Sequence, residues 1–231
     1  MALTPAVWEG RTRIAREVPY RVLAPSGRSP RDGWPAVIAL HGYGWDGTRF
    51  TPVIRRRFGK VPWVWIVPRG PWRVFEAPGA VGYAWLVGSR EDPDHEGMKG
   101  TEALLRQAVA GTGRRLHLDR KRVALLGFSQ GAFVAGVAAL RGPGAWRAAA
   151  VLGGYINPLM VPGGLIRSRG ACLAFFHARQ DTDVPLERAK RSVRTLAEAG
   201  IPAALKTFPG GHKLSPAMAA AAREFLLEAL R

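Results

Sequence analysis

Short apolar runs alternate with stretches of helical spacing along most of the chain, and this alternation limits the fold more than any other feature. Seven runs have the length and composition of strands, at 18–25, 34–42, 61–70, 121–128, 148–154, 171–178 and 203–210. Helical spacing recurs at 98–112, 130–142, 184–199 and 215–231. Strands that alternate with helices form a mainly parallel sheet with helices on both faces. The sequence therefore predicts an α/β fold, with residues 1–231 forming a single domain.

One long stretch, between Arg69 and Gly97, has neither strand-like nor helical spacing. It is rich in glycine and proline and contains four aromatic residues, Trp72, Phe75, Tyr83 and Trp85. Long loops in compact domains usually serve a function. We expect a lid or a pocket wall at 70–97.

Ser129 stands where a predicted strand meets a predicted helix, with Gly127 and Gly131 on either side. The pattern G-x-S-x-G at such a joint is typical of a nucleophile elbow. A strained backbone lifts the serine hydroxyl above the sheet, and a side chain at either glycine would collide with neighbouring backbone. The helix that begins at Gln130 directs the positive end of its dipole towards the serine. The joint therefore predicts a nucleophilic Ser129.

A serine hydroxyl needs a base, and the base needs an orienting acid; at this kind of joint they follow in the order Ser, acid, His. His212 lies in a glycine-flanked loop after the last strand, where the base is expected. His177 ends a strand, so we expect it to be structural. The acid is Asp181 or Asp183. We favour Asp181, because Asp183 directly precedes a predicted helix that it would cap.

The negative oxygen that forms during acyl transfer needs two hydrogen-bond donors. One is the backbone N–H of Gln130, directly after the serine. The other is predicted to be the backbone N–H of Tyr43, in the loop His41–Gly44 that follows an early strand. His41 precedes the elbow and has no acid beside it in sequence, so we expect it to brace this loop.

Together these segments resemble the phospholipase/carboxylesterase family of α/β-hydrolases, which includes acyl-protein thioesterases and lysophospholipases. The likeness covers most of the chain and rests on VIALHGYGWDG, VPRGP with GYAWL, LLGFSQGAFVA, FHARQDTDVP and FPGGHKLS. It implies an α/β-hydrolase fold and a serine carboxylesterase that acts through an acyl-enzyme, with thioesters left open as substrates. In the pattern H-x-x-x-D-x-x-V-P the family's acid falls on Asp181. Nothing in such a mechanism requires a metal or a cofactor.

Three departures from the family's pattern concern the substrate more than the chemistry. Ala178 follows His177 where the family has glycine, no acidic residue follows Trp85, and Trp45 precedes Asp46 where many members have the aspartate itself. We expect Trp45 and Trp85 to line the substrate pocket. The ester could be a small molecule or lipid-like, and the aromatic residues allow an alternative, an esterase for small aromatic esters.

The charge of the chain suggests a second class of function. It has 34 lysines and arginines against 17 acidic residues, a formal net charge of +17. Strongly basic chains often bind nucleic acid, but here the basic residues occur in short groups throughout the sequence. We attribute them to compositional bias on a solvated surface and expect no specific nucleic-acid partner. The alternative is a nucleic-acid or anionic-surface binder on a hydrolase scaffold, or a weak attraction to anionic surfaces.

The compartment and the assembly are less constrained. Cys172 is the single cysteine and cannot form an internal disulfide, which fits a reducing compartment. The first residues lack the apolar core of a secretory signal, and no apolar run is long enough to span a bilayer. The sequence predicts a cytoplasmic protein, either a monomer or a homodimer.

Overall fold

A computed structural model describes residues 17–77, 80–87, 94–142, 144–161, 163–165 and 172–231. Its strands are β1 (Tyr20–Leu23), β2 (Trp34–Leu40), β3 (Val64–Pro68), β4 (Trp72–Ala77), β5 (Ala80–Ala84), β6 (Leu118–Phe128), β7 (Ala148–Leu152), β8 (Cys172–Ala178) and β9 (Ala203–Phe208). Its α-helices are α1 (Gly47–Phe58), α2 (His95–Gly113), α3 (Gln130–Arg141), α4 (Leu186–Glu198) and α5 (Pro216–Ala229). A short 3₁₀ helix spans Pro158–Met160.

Seven strands form one sheet in the order β1-β3-β2-β6-β7-β8-β9. Strand β1 is antiparallel to β3, and the other neighbouring pairs are parallel. The mainly parallel sheet that the sequence predicts is therefore confirmed. Parallel strands bring the loops after their carboxyl ends to one edge of the sheet, and ligands of open α/β sheets bind at that edge.

Alternate residues of the central strands pack into two separate cores. Ile38 and Leu125 lie in one core with the apolar residues of α2, α3 and α4. Val37 and Leu126 lie in the other with those of α1 and α5. Because successive side chains of a strand point to opposite faces, the two cores occupy the two faces of the sheet. The helices therefore cover both faces, as predicted.

Helix α1 was not predicted from the sequence. Its buried residues Phe50, Ile54 and Phe58 follow one another at intervals of four, which is helical spacing. Pro52 and the run of arginines near the end of the helix hide that spacing. The helix begins after Asp46, whose carboxylate accepts a hydrogen bond from the Arg49 N–H at 2.7 Å.

The stretch predicted as a lid or a pocket wall contains a two-stranded antiparallel hairpin, β4–β5. The sequence of this stretch shows no clear strand signal, so the two strands β4 and β5 were not predicted. Residues 78–79 and 88–93, which belong to the same prediction, lie outside the described residues. In the parts of the chain that the structure describes, no helix combines the length and the apolarity that crossing a bilayer requires.

Candidate active site

Ser129 is the only non-glycine residue with a positive φ in the described part of the chain, with φ 56° and ψ −120°. Its neighbours explain why the chain accepts this strain. A Cβ on Gly127 would collide with the backbone of Gly131, and a Cβ on Gly131 would collide with the carbonyl oxygens of Leu40 and His41. The tight strand-to-helix turn therefore needs glycine at both positions, as the sequence pattern indicates.

Ser129, His212 and Asp181 form a hydrogen-bonded row. The Oγ of Ser129 lies 2.9 Å from Nε2 of His212, and Nδ1 of His212 lies 2.7 Å from Oδ2 of Asp181. With the ring proton on Nδ1 donated to the carboxylate, Nε2 is free to accept the serine proton. The three side chains come from the loops after β6, β8 and β9, which the parallel sheet brings to one edge.

Two residues lie close to the ring of His212. The ring of Phe128 lies beside it, with 4.9 Å between the ring centroids. Gly153, directly after β7, is near both rings, since a Cβ at this position would lie 3.4 Å from Cε1 of the imidazole. Gly153 has φ 59°. Gly153 was not predicted as a site residue, although the pair Gly153-Gly154 after a buried strand is a sequence signal for a close approach of the backbone.

Asp181 is held by backbone groups of its own loop. Its Oδ1 accepts hydrogen bonds from the N–H groups of Asp183 at 3.1 Å and Val184 at 2.8 Å. These bonds orient Oδ2 towards His212. Asp183 does not cap helix α4, because α4 begins after Pro185 and has no side-chain cap. That expectation was wrong, and the N–H of Asp183 instead supports the neighbouring carboxylate.

His177 is fully buried beside Asp181, although it is not part of the row. Its Nε2 lies 2.8 Å from the carbonyl oxygen of Val184 and 3.5 Å from Oδ2 of Asp181. The shorter distance shows that the Nε2 proton goes to the carbonyl, and the carboxylate receives only a longer electrostatic contact. His177 thus ties Val184 to the sheet edge, which agrees with the structural role expected of it.

The loop after β2 lies against Ser129. A Cβ on Gly42 would be 3.4 Å from Cβ of the serine, so Tyr43 follows a residue in direct contact with the elbow. Among the described residues, the N–H groups of Tyr43 and Gln130 donate no hydrogen bond to a protein group. Two free N–H groups close to one serine are what an oxyanion site needs.

His41 holds this loop in place through two hydrogen bonds. It is fully buried, its Nδ1 donates to the Gly42 carbonyl at 2.7 Å, and its Nε2 accepts from the Gly70 N–H at 2.9 Å. Burial, which disfavours the charged ring, lowers the pKa of His41 from 6.5 to about 4, although the bond to Gly42 and the charge of Asp46 oppose that effect. At neutral pH the ring is therefore uncharged and serves as a fixed donor and acceptor.

Trp85 lies beneath the same loop and does not face solvent. Its side chain is 0% exposed, and its indole N–H donates to the His41 carbonyl at 2.8 Å. This burial argues against the prediction that Trp85 lines the pocket, because a substrate cannot reach a side chain enclosed on all sides. Its size and its N–H instead fix the backbone of the loop.

Gln130 has a role that the sequence analysis missed. Only its backbone N–H was considered, but its side-chain Oε1 accepts from the Trp85 N–H and its Nε2 donates to the Leu86 carbonyl, both at 2.9 Å. The glutamine after the serine therefore ties the first turn of α3 to the chain that leaves the hairpin. No local pattern could reveal this, since the partners lie 44 and 45 residues away.

Several aromatic side chains near the loop and on the hairpin are exposed. Tyr43 is 51% exposed, Trp45 is 38% exposed with its edge against Phe50, and Phe75 on β4 is 73% exposed. Trp45 is thus accessible to a ligand, as a pocket residue must be. Among the described residues, no group of three or more His, Cys, Asp or Glu side chains could hold a metal ion.

Comparisons with known proteins identify the family. The family model for phospholipases and carboxylesterases matches residues 27–230. The solved structure of esterase PE8 is 26% identical with a TM-score of 0.72, covering 93% of this chain and 100% of that one.

Two further structures share the fold. Acyl-protein thioesterase 2 from Zea mays has a TM-score of 0.70 at 22% identity, covering 92% of this chain and 99% of that chain. A carboxylesterase from Mesorhizobium loti has a TM-score of 0.69 at 22% identity, covering 91% and 94%. Comparison with proteins of curated function finds no match. The chain belongs to the phospholipase/carboxylesterase family of α/β-hydrolases and is a hydrolase that acts on esters.

Proposed function

We propose that the protein cleaves carboxylic esters, with thioesters as further substrates, through a Ser129–His212–Asp181 triad and an acyl-enzyme. The observation that carries this proposal is the hydrogen-bonded row itself, with 2.9 Å between Ser129 Oγ and His212 Nε2 and 2.7 Å between His212 Nδ1 and Asp181 Oδ2. Both distances lie within the range in which a base removes a serine proton and an acid orients the base.

In the first half of the reaction, Oγ of Ser129 attacks the ester carbonyl carbon while Nε2 of His212 takes the hydroxyl proton. The carboxylate of Asp181 stabilises the imidazolium that forms. The N–H groups of Tyr43 and Gln130 bind the negative oxygen of the tetrahedral intermediate. When this intermediate collapses, His212 returns the proton to the leaving alcohol or thiol, and the acyl group stays on the serine.

In the second half, water attacks the acyl-enzyme and gives its proton to His212. The second tetrahedral intermediate collapses, Ser129 recovers its proton from the imidazolium, and the carboxylic acid leaves. Every proton transfer uses Ser129 and His212, which with Asp181 are already hydrogen-bonded in the structure, together with one water molecule and the leaving group.

The exposed aromatic side chains support an ester with an apolar part. Tyr43 and Trp45 belong to the loop that supplies one oxyanion donor, and Phe75 lies on the adjacent hairpin. Gly44 donates its N–H to the Tyr83 carbonyl at 3.0 Å, which joins the hairpin to the loop. Apolar acyl chains and small aromatic groups both fit such a surface.

The test is hydrolysis of p-nitrophenyl esters from acetate to palmitate, with Ser129→Ala measured beside the wild type. We expect turnover by the wild type and a loss of at least about 10⁴-fold in kcat in the variant, since the nucleophile is gone. The acyl length with the highest kcat/KM then gives the size of the acyl site. An inactive wild type, or a variant that retains the wild-type rate, would contradict the triad.

A further inference from the structure

A cleft of about 390 Å³ lies between the loop after β7 and the first turns of α4. Two of its lining residues are cations, Arg188 and Arg191, and none is acidic. Four others have polar side chains that can form hydrogen bonds, Tyr155, Asn157, Ser192 and Thr195. A concave site with two guanidinium groups and no carboxylate has the composition of an anion site. We call it the arginine cleft.

The walls of the arginine cleft are fixed by contacts with the rest of the fold. Ser192 Oγ accepts from the Ile156 N–H at 2.9 Å, which ties α4 to the loop after β7. The Arg188 guanidinium lies 5.1 Å from the centre of the Tyr155 ring, within cation–π range. Tyr155 in turn packs against Phe133 of α3, with 5.4 Å between ring centroids. One of the two guanidinium groups is therefore positioned before any ligand arrives.

The acidic residues of α4 lie outside the lining of the cleft, since neither Glu187 nor Glu198 belongs to it. The Glu187 carboxylate accepts a hydrogen bond from Lys190 at 2.7 Å. This bond, with the charges of Lys190, Arg194 and Arg191, lowers the pKa of Glu187, so its charge acts on Arg191 from outside the cleft. Arg191 lies three residues after Arg188, so both project from one face of the helix. The cleft lining therefore carries two positive charges on one helix face and no negative charge of its own.

The arginine cleft adjoins the triad through two connections. The loop that lines the cleft begins at the end of β7, where the Leu152 carbonyl accepts the Ser129 N–H at 3.0 Å. Tyr155 follows Leu152 by three residues, so the Cα atoms of Leu152 and Tyr155 are at most about 11 Å apart. Asp181 precedes α4 in the loop that leads into the helix. The cleft and the triad are therefore built on the same two loops, those after β7 and β8, at one edge of the sheet.

We propose that the arginine cleft binds a carboxylate or phosphate carried by the ester substrate, so that the enzyme prefers esters with an anionic group separated from the scissile bond by a short apolar segment. This proposal rests on the function proposed above, whose reaction it makes more specific. Ile156 and Leu159 in the lining suit the apolar segment. The fork of an arginine pairs with two oxygens of a carboxylate or phosphate, and Asn157 and Thr195 can add further hydrogen bonds.

The kinetic test compares mono-p-nitrophenyl suberate with p-nitrophenyl octanoate, which have the same chain length and differ in a terminal carboxylate. We expect the wild type to prefer the suberate. We expect Arg188→Gln with Arg191→Gln to lower kcat/KM for the suberate about tenfold, mainly through KM, since hydrogen bonds to a charged group are lost. The octanoate should change by less than about twofold under the same principle. An equal loss for both esters, or a wild type without preference, would overturn the proposal.

Arg194→Gln is the matched control. It removes the same charge from the same helix but lies outside the cleft lining. A general attraction of the basic protein for anions would make this variant lose the suberate preference as much as the double variant does, which would also overturn the proposal. Thermal unfolding of all variants shows whether Arg188→Gln has disturbed the contact with Tyr155. Should it do so, Arg191→Gln alone carries the test.

A binding measurement separates this proposal from the triad. Monomethyl suberate and dimethyl suberate, one anionic and one neutral, are titrated calorimetrically into Ser129→Ala with and without the two arginine substitutions. Tighter binding of the anionic ester that disappears with the arginines supports the cleft, even where no ester is hydrolysed. Equal binding of both esters overturns it, whereas activity retained in Ser129→Ala would contradict only the triad. Repeating the titration with octyl phosphate and octanol shows whether phosphate serves as well as carboxylate.

Discussion

The two sides of Ser129 are built in different ways. Strand β6, which ends at the serine, lies between β2 and β7 in the sheet. On the β2 side, buried His41 and Trp85 hold the loop after β2, in which we propose one oxyanion donor, by hydrogen bonds of 2.7–2.9 Å. On the β7 side, the arginine cleft presents cationic side chains to solvent. We call the first the braced side, meaning residues 40–44, the hairpin β4–β5, Trp85 and the Gln130 side chain.

The difference separates what the reaction requires from what the substrate requires. Oxyanion donors must be placed to a fraction of an ångström before the reaction begins, so rigid buried contacts suit the braced side. Recognition of an anionic group tolerates more freedom, because charge attraction falls slowly with distance and long arginine side chains can adjust. Substitutions on the braced side should therefore affect every substrate, and substitutions in the cleft should affect anionic ones.

Asp181 follows β8, beyond β7, and its carboxylate is bonded to the histidine that contacts Ser129. Because every substrate depends on that histidine in the proposed mechanism, substitution of Asp181 should have the largest effect. Asp181→Asn keeps the Oδ1 that accepts from Asp183 and Val184, but places an amide N–H₂ opposite His212 Nδ1. The imidazole must then carry its proton on Nε2 and cannot take the serine proton. We expect a loss of about 10⁴-fold in kcat for neutral and anionic esters alike. Steady-state kinetics with both p-nitrophenyl esters measures it.

Asp183→Asn is the control for this substitution. The side chain of Asp183 is exposed and carries the same charge in the same loop. We expect its kcat to change by less than about twofold, as for an exposed charge. If Asp183→Asn lowered kcat as much as Asp181→Asn, the assignment of the acid would be wrong.

Gly131 tests the steric basis of the braced side. In Gly131→Ala the new methyl group would collide with the carbonyl oxygens of Leu40 and His41, which are backbone atoms that cannot move away independently. We expect the free energy of unfolding to fall by about 3 kcal/mol or more, with a loss of activity on both esters. Urea unfolding measures the loss of stability. Activity measured under conditions in which the variant and the wild type are equally folded then measures the loss of catalysis separately.

Gly100→Ala provides the comparison for that glycine substitution. Gly100 lies on the exposed side of α2, and a Cβ there would have no atom within 4 Å. Alanine in an exposed helix position should raise the free energy of unfolding by about 0.5–1 kcal/mol. A lower free energy of unfolding for Gly131→Ala and a higher one for Gly100→Ala would support the steric collision at Gly131. Similar destabilisation of both variants would contradict it.

The sequence predicted the parts of the molecule that depend on neighbours in the chain. Ser129 and its two glycines are adjacent to one another, so their pattern was sufficient to predict the turn that the structure shows. Most strands of the parallel sheet were predicted for the same reason, because each contains a continuous apolar run of neighbouring residues. Their ends differ from the prediction by a few residues, which is where strands lose hydrogen-bond partners and propensity decides little.

Features that depend on distant contacts were not predictable. The side chain of Gln130 contacts residues 44 and 45 positions earlier, and the arginine cleft requires that Tyr155 and α4 meet in space. Trp85 was expected in the pocket because it belongs to the stretch predicted as a lid or a pocket wall, but the fold encloses it against His41. Local composition cannot show which side of a hairpin faces the sheet.

On the braced side, His41 should make the free energy of unfolding of the protein depend on pH. Its pKa is lowered from 6.5 to about 4 by burial, so the folded protein resists a proton that the unfolded chain accepts. The stabilisation is fully present above about pH 6.5 and is lost as the pH falls towards 4, by up to about 3 kcal/mol. Urea unfolding at pH 7, 5.5 and 4 measures this loss.

His41→Gln isolates that contribution, because glutamine cannot titrate and retains a donor and an acceptor. The variant should be less stable than the wild type at pH 7, and the difference should shrink as the pH approaches 4. A constant difference across this range would mean that His41 does not titrate differently in the folded and unfolded states.

Gln130→Ala should have the smallest effect of these substitutions, and it tests the hydrogen bonds of the braced side most directly. It leaves the backbone N–H proposed as an oxyanion donor in place, but removes the bonds to the Trp85 N–H and the Leu86 carbonyl. Because both residues are buried, we expect the free energy of unfolding to fall by about 2 kcal/mol. A loosened loop should also lower kcat about tenfold, equally for octanoate and suberate esters. Gln107→Ala, an exposed glutamine on α2, serves as the control. A loss confined to the suberate ester would place Gln130 with the arginine cleft and would abolish the distinction between the two sides.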